Sequence, residues 1–233
     1  MSDSASSPDK RFAPVKNSRT FNRILDTLGL HSKKVLDMGC GYGEYLVCFG
    51  PGSVGITTTL HEVEYGKEHG LSIVRGNVEL LDEMDLKDRF DAAWANNLFE
   101  HLVGPHAFLI TLKTVMRDDA VLVLGVPVVP RIASLMRLTK FRGALAAAHV
   151  NFFTRETLRL AVERAGWKVD TVRPFYFSNT FLDFLGSFFA PHLYVVARNG
   201  ASFRYLEKKL NEWKDEPLYE KIVAVGTGKK DNN

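Results

Sequence analysis

The sequence predicts a doubly wound α/β domain: a mostly parallel seven-stranded sheet with helices on both faces and a helical lid insertion. Three observations predict it. Short, nearly continuous apolar runs alternate with segments of helical period, the pattern of parallel strands buried on both faces. Glycines at 39, 41 and 43 follow the first such run, where an open sheet of this kind binds its ligands. Hydrophobic residues make up 45% of the 233 and charged residues 24%, a balance that supports a full core.

Taken in order, residues 1–17 are polar, contain acids and lack an apolar stretch of signal-peptide type, and read as a mobile tail. Residues 18–233 form the single domain. Phe21, Ile24, Leu25 and Leu28 recur at helical spacing, with Gly29 as the stop. "KKVLDMG" is the first strand, and the glycines bend the chain into a helix through Tyr45–Phe49. "SVGITT" is the second strand. Thr59 and Glu62 then form a capping box that opens the next helix. "LSIVRGN" and "RFDAAWANN" supply the third and fourth strands. Pro105 suits the first turn of "PHAFLITLKTVM", and "AVLVLGVP" is the fifth strand.

Past Pro127 the rhythm changes. Residues 128–150 read as one or two helical lid segments. "TRETLRLAVERAG" is an amphipathic helix with Leu158, Ala161, Val162 and Ala165 on one face. "WKVDTVRPFYF" and "HLYVVARN" are further strands, and the phenylalanine-rich residues 178–191 between them are a second lid element. "KIVAVGTG" competes with "HLYVVAR" for the last sheet position.

Net charge is +3, too weak to imply nucleic acid without a clustered patch. The two cysteines, Cys40 and Cys48, fit a reducing, cytoplasmic setting. No run approaches the roughly 18 apolar residues of a membrane span. No His, Cys and Asp cluster has metal spacing, so no metal is expected.

The loop "DMGCGYGE" narrows the ligand. A dinucleotide fingerprint starting at Gly39 requires its third glycine at 44, which is Glu44, and no G-K-[ST] of a phosphate loop follows. A glutamate at the mouth also repels a pyrophosphate. A carboxylate at Asp37 with glycines spaced two apart suits a ligand carrying an ammonium group instead.

Together, "VLDMGCGYGEYL", "GNVE", "FDAAWANNLFEHL" and "HVNFFTRETLRLAVERAGWKV" resemble, in family order, the motifs of class I S-adenosylmethionine (SAM)-dependent methyltransferases, small-molecule branch. The resemblance covers roughly residues 20 to 198. It implies a Rossmann-like fold with SAM as cofactor and S-adenosyl-L-homocysteine as product. The acceptor it implies is a small molecule, apolar or anionic, methylated at a hydroxyl or carboxyl oxygen. It further implies a cofactor site at Asp37, Gly39, Cys40, Gly41, Tyr42, Gly43, Thr57, Thr58, Asn77, Val78, Asn96 and Asn97. Two positions depart from the family. The acid that holds the ribose is replaced near Thr57 or Thr58, which weakens the cofactor's hold unless Glu62 or Glu64 substitutes from the helix. The adenine-turn acid is Asn77, whose amide oxygen still accepts from an amino group.

Where the acceptor is a hydroxyl, a base must take its proton. His101, just past the fourth strand, is the first candidate, with Glu100 orienting it or acting alone, and His149 is the second. His31, His61, His69, His106 and His192 have no supporting constellation and read as surface or packing residues. The basic and apolar residues of Pro130–Val150, such as Arg131, Arg137, Lys140 and Leu145, and the phenylalanines near 181–189 fit a bulky apolar or carrier-linked acidic substrate. At most they imply peripheral membrane contact. The alternatives are a non-catalytic module of the same fold that regulates a partner, and a lipid C-methyltransferase.

Overall fold

The computed structural model describes residues 9–86, 89–130, 132, 148–200, 205–216 and 219–220. Seven strands form one sheet in the order β3-β2-β1-β4-β5-β7-β6. They are β1 Val35–Met38, β2 Val54–Thr57, β3 Ile73–Arg75, β4 Phe90–Asn96, β5 Met116–Pro127, β6 Trp167–Arg173 and β7 His192–Asn199. The first five strands pair in parallel, and β7 runs antiparallel to both β5 and β6. The last sheet position competed for thus holds "HLYVVAR", and "KIVAVGTG" lies outside the described residues. Among the described residues, no helix is long and apolar enough to cross a membrane.

The strands are apolar on both faces because both faces are covered. Leu36, Met38, Ala93, Ala95, Leu122 and Leu124 belong to one core cluster; their neighbours Val35, Ala92, Trp94 and Val123 belong to another. Successive strand residues point to opposite faces, so the two clusters lie on opposite sides of the sheet. Helix α2 (Arg19–Leu28) buries Phe21 and Ile24 in the second cluster, Phe21 packing edge-on to Trp94. Its ends follow the expected chemistry. Ser18 caps the first turn by accepting from the Phe21 amide, and Gly29 closes the helix in the left-handed region at φ 61°. On the other side lie α4 (Pro105–Leu112), with proline in its first turn, and α5 (Arg155–Arg164), which buries Leu158 and Val162. Thr154 and Thr157 cap α5 reciprocally.

Four expectations need correction. The supposed mobile tail is helical over α1, Asp9–Lys16, despite Pro14. It is anchored by an ion pair from Arg11 Nε to Glu44 at 2.9 Å, and the same guanidinium lies over the Tyr42 ring. The helix expected through Tyr45–Phe49 is a single 3₁₀ turn, Leu46–Cys48, because the segment between Gly43 and the Gly50-Pro51-Gly52 turn is too short for more. Helix α4 stops at Leu112, and Met116 already belongs to β5. The capping box at α3 (Leu60–Glu68) does not form: Thr59 makes no side-chain cap, because Glu62 is engaged by the Thr57 hydroxyl instead. The lid helices expected within 128–150 fall largely outside the described residues. The second segment expected as a lid, 178–191, contains helix α6, Thr180–Gly186.

Candidate functional site

The carboxyl ends of β1, β2, β3 and β4 surround a cavity of about 300 Å³. One wall is the glycine loop. Gly39 and Gly41 line the cavity at φ 73° and 57°, left-handed values that cost an L-residue about 1–2 kcal/mol. A β-carbon on Gly41 would lie 2.8 Å from a Glu44 carboxylate oxygen. Gly43 is left-handed too, but its missing side chain makes room for Leu71, so it serves packing rather than the ligand. Asp37, at the end of β1, lies behind this wall and does not line the cavity; it is 1% exposed, and its Oδ2 has no hydrogen-bond partner among the described residues. Burial, reinforced by Glu44 nearby, pushes its carboxyl well above the usual carboxylate range. An ammonium group brought to this oxygen would relieve both effects.

The second wall brings a carboxylate beside the threonine that stands where an acid is expected. Thr57, Thr58 and Glu62 all line the cavity. The Thr57 hydroxyl donates to Glu62 Oε2, and the Thr59 amide donates back to Thr57 Oγ1 at 3.2 Å. The carboxylate therefore arrives from α3, steered by the threonine that occupies the usual acid position. Glu64, the other candidate, is exposed and does not line the cavity.

Asn77 and Val78 close the third wall with Gly76. The Asn77 amide oxygen expected to meet an adenine amino group accepts from the Glu79 amide at 3.0 Å, capping the 3₁₀ turn Val78–Glu83. The remaining cofactor candidates lie off this cavity. The Cys40 side chain packs inward with Leu46, Val63 and Ile73, and burial pushes its thiol up, so only its backbone belongs to the loop. Tyr42 packs against His61 and Tyr65 under Arg11. Asn96 donates to the Tyr45 hydroxyl at 3.0 Å. Asn97, left-handed at φ 53°, meets His192 Nε2 through its Oδ1 at 3.0 Å.

His192 thus has a constellation that sequence reasoning missed. It opens β7, and because β7 is antiparallel its first residue lies beside the carboxyl ends of β4 and β5. Burial lowers its pKa from 6.5 to about 4, so the ring is neutral at physiological pH. No sequence signal gave the strand's direction.

The fourth wall carries the first of the candidate acid–base groups, His101. Leu98, His101 and Leu102 line it. His101 Nδ1 lies 3.0 Å from the Ala148 carbonyl, which can only accept, so Nδ1 carries the proton and Nε2 is the basic nitrogen. Glu100 is 1% exposed, with its Oε1 3.9 Å from His101 Nε2 and 4.0 Å from His149 Nε2. Burial raises its pKa, and its own backbone amide, followed by the two imidazoles, pulls it partly back. All three sequence candidates therefore meet. The backbone makes the junction: the amides of Val150 and Asn151 both donate to the Glu100 carbonyl at 3.0 Å, and Asn151 Nδ2 donates to the Leu102 carbonyl at 2.6 Å.

Glu44 argues against a pyrophosphate less directly than its charge implied, since Arg11 neutralises it. The stronger objection is structural. A pyrophosphate needs a helix N-terminus after the loop, and only the Leu46–Cys48 turn is there.

Helix α6 is inverted in polarity. Its buried residue is Asp183, which accepts from the Phe177 amide and pairs with Arg173 at 3.5 Å. Phe181, Leu182, Phe184 and Leu185 are left exposed, with Phe189 just beyond the helix.

A protein-family profile described as "Methyltransferase domain" matches residues 10–172. Among curated proteins, the chain is 28% identical over 133 residues to a ubiquinone biosynthesis O-methyltransferase of Haemophilus ducreyi, covering 51% of this chain and 56% of that protein. It is 30% identical over 117 residues to one of Rhodopseudomonas palustris, covering 46% and 45%. The chain spans about half the length of the curated relatives it matches. Among solved structures, a SAM-dependent methyltransferase from Archaeoglobus fulgidus superposes with a TM-score of 0.56 at 19% identity, covering 83% of this chain and 100% of that one. One from Mesorhizobium loti gives 0.57 at 15% identity, covering 79% and 99%. These likenesses show the fold. With a family profile matching well over half its length around this glycine loop, the chain belongs to the methyltransferase-domain family.

Proposed function

We propose that this protein moves a methyl group from SAM to a hydroxyl oxygen of a small, largely apolar acceptor. The observation that carries the reading is a shared wall: the cavity that begins at Gly39 and Gly41 ends at His101. SAM supplies an electrophilic methyl group on a sulfonium. Asp37 offers its unpartnered oxygen to the amino group of the methionyl end. Glu62, fixed by Thr57, accepts from the ribose hydroxyls, which restores the charge-assisted bonds that a threonine alone cannot make. Val78, Asn77 and Ile56 border the adenine end of the cavity.

On the acceptor side, His101 Nε2 takes the hydroxyl proton, and Glu100 stabilises the imidazolium that results. The water-poor position of Glu100 strengthens this attraction, since charges interact more strongly away from solvent. The exposed phenylalanines of α6 favour an apolar acceptor, or one presented at a membrane surface. The names of the curated relatives, O-methyltransferases of ubiquinone biosynthesis, favour a ring hydroxyl over a carboxyl. A soluble protein acting in the cytoplasm and free of nucleic acid is the setting we assign, with lid elements near 128–150 and 178–191.

Titration calorimetry with SAM tests the first half, and binding at cellular concentrations is expected. Radiolabelled methyl transfer tests the second, with a hydroxylated prenyl-ring acceptor set against a fatty acid and an unsaturated lipid. Label on the ring oxygen is the expected result. Label on the acid or on a lipid carbon would redirect the acceptor assignment, and SAM binding without any transfer would favour a regulatory module.

A further inference from the structure

We infer that Glu100, His101 and His149 form a binding site for a divalent transition cation of the Zn²⁺ class at the acceptor edge of the cofactor cavity. One ligand atom from each residue lies within 4.8 Å of the others. The cluster has the form of a site awaiting a small positive centre. Glu100 is 1% exposed, and neither carboxylate oxygen has a hydrogen-bond partner among the described residues. Buried carboxylates are normally paired, because leaving one unpaired is costly. Yet the nearest imidazole nitrogens, at 3.9 and 4.0 Å, are beyond hydrogen-bond range. A zinc ion about 2.0–2.1 Å from each ligand would set tetrahedral neighbours about 3.4 Å apart. Closing the cluster therefore takes roughly half an ångström for each carboxylate–imidazole pair and about 1.4 Å for the widest pair, a movement made by side-chain rotation.

The supporting contacts point the same way. His101 is held through Nδ1 on the Ala148 carbonyl, which turns the Nε2 lone pair toward Glu100. Metal-binding histidines are oriented in this manner, the second nitrogen donating to a carbonyl. The two imidazole rings stand edge to face, 4.8 Å between centroids. Backbone bonds from Val150 and Asn151 to the Glu100 carbonyl lock the two segments together, so the ligands are positioned in advance. One carboxylate and two imidazoles are the donor set of zinc, iron(II) and cobalt(II). Magnesium and calcium prefer oxygen donors throughout. Three protein ligands leave a further position open, and His101, the most exposed of the three, lies on the cavity wall.

The cation's role rests on the methyl-transfer reading. The open position takes the acceptor oxygen; the O–H bond breaks, and the proton passes to bulk water. The oxygen's electron pair then forms the C–O bond as the methyl–sulfur bond breaks, with that pair left on sulfur. With the cation bound, His101 Nε2 is a ligand and the proton leaves to water; in the metal-free protein the same nitrogen takes the proton as proposed above, so occupancy by the cation selects between the two routes.

The test uses the full chain, stripped with chelator and then titrated with Zn²⁺, or with Co²⁺ for its visible absorption. SAM affinity is measured in parallel. One Zn²⁺ per chain is expected, unaffected by millimolar Mg²⁺. His149→Asn and Glu100→Gln should weaken it by more than the roughly hundredfold that loss of a supporting partner costs. Both variants should keep their SAM affinity, which reports on the opposite walls and on folding; should Glu100→Gln not fold, His149→Asn carries the test. Absence of Zn²⁺ binding, Zn²⁺ binding indifferent to His149→Asn, or equal occupancy by Mg²⁺ would each overturn the site. Zn²⁺ bound without SAM affinity would instead sink the methyl-transfer reading and leave the site standing.

Discussion

The two sides of the cavity are built differently. On the side of β1, β2 and β3, each group facing the ligand arrives within a few residues of its own strand: Gly39 and Gly41 after β1, Thr57 and Glu62 around the end of β2, Gly76 and Asn77 after β3. Beyond β4, the groups come from segments far apart in the chain. His101 meets His149, and Asn97 meets His192. On the proposed reading, donor recognition is a local property of strand ends, whereas acceptor chemistry requires distant segments to dock. The first side suits a ligand common to a whole family; the second can change with one loop.

Substitutions can separate the sides. The largest effect is expected from His101→Ala, which removes the acceptor-side group in either role. The kcat should fall about 10²–10⁴-fold, while calorimetry shows SAM affinity little changed; collapse of that affinity would mean the two sides are one unit. Gly41→Val should act on the other side alone. Its side chain would be forced into a left-handed conformation and against Glu44. A loss of about 2 kcal/mol, roughly thirtyfold in SAM affinity, is expected, with thermal stability showing that the fold survives. Next comes Glu62→Gln, which replaces charge-assisted bonds by neutral ones and should cost roughly tenfold in SAM affinity. Glu64→Gln is its control and should change nothing, since that side chain is exposed.

The smallest effect is a pH dependence. His192 has its folded pKa depressed from 6.5 to about 4, so the unfolded chain binds the proton more readily. Its contribution to stability is fully present above about pH 6.5 and is lost as pH falls toward 4. Thermal unfolding of His192→Gln should show a shallower decline across that window than the parent protein. An identical decline in both would remove His192 from the account.

The same division explains what was legible in the sequence. Gly39, Gly41, Thr57 and Asn77 could be expected at one cavity because each lies at a strand end that local spacing reveals, and all four line it. Helix α2 was equally plain, since Ser18, Phe21, Ile24 and Gly29 are local signals. The errors arose where one group had two possible partners. Glu62 fits a capping box with Thr59 on spacing alone, but the Thr57 hydroxyl wins it. Residues 9–16 look like a tail because the partner of Arg11, Glu44, lies across a turn that spacing does not reveal. The meeting of His149 with Glu100 and His101 is not visible in spacing along the chain, because it is made by backbone bonds from its neighbours Val150 and Asn151. His192 was passed over because the direction of β7 is a tertiary outcome.

The antiparallel seventh strand has a consequence for how the molecule is made. Strand β5, apolar through Val121–Val126, pairs along its far edge with β7, and β6 joins the sheet only through β7. During synthesis the first five strands are complete at Pro127, but that edge stays open until Asn199 has left the ribosome. An exposed apolar edge is a template for pairing with another chain, and non-local pairing is slow. A product truncated before His192 therefore keeps the donor-binding strand ends and carries an uncovered edge, making it a candidate for aggregation and chaperone capture rather than a smaller working enzyme.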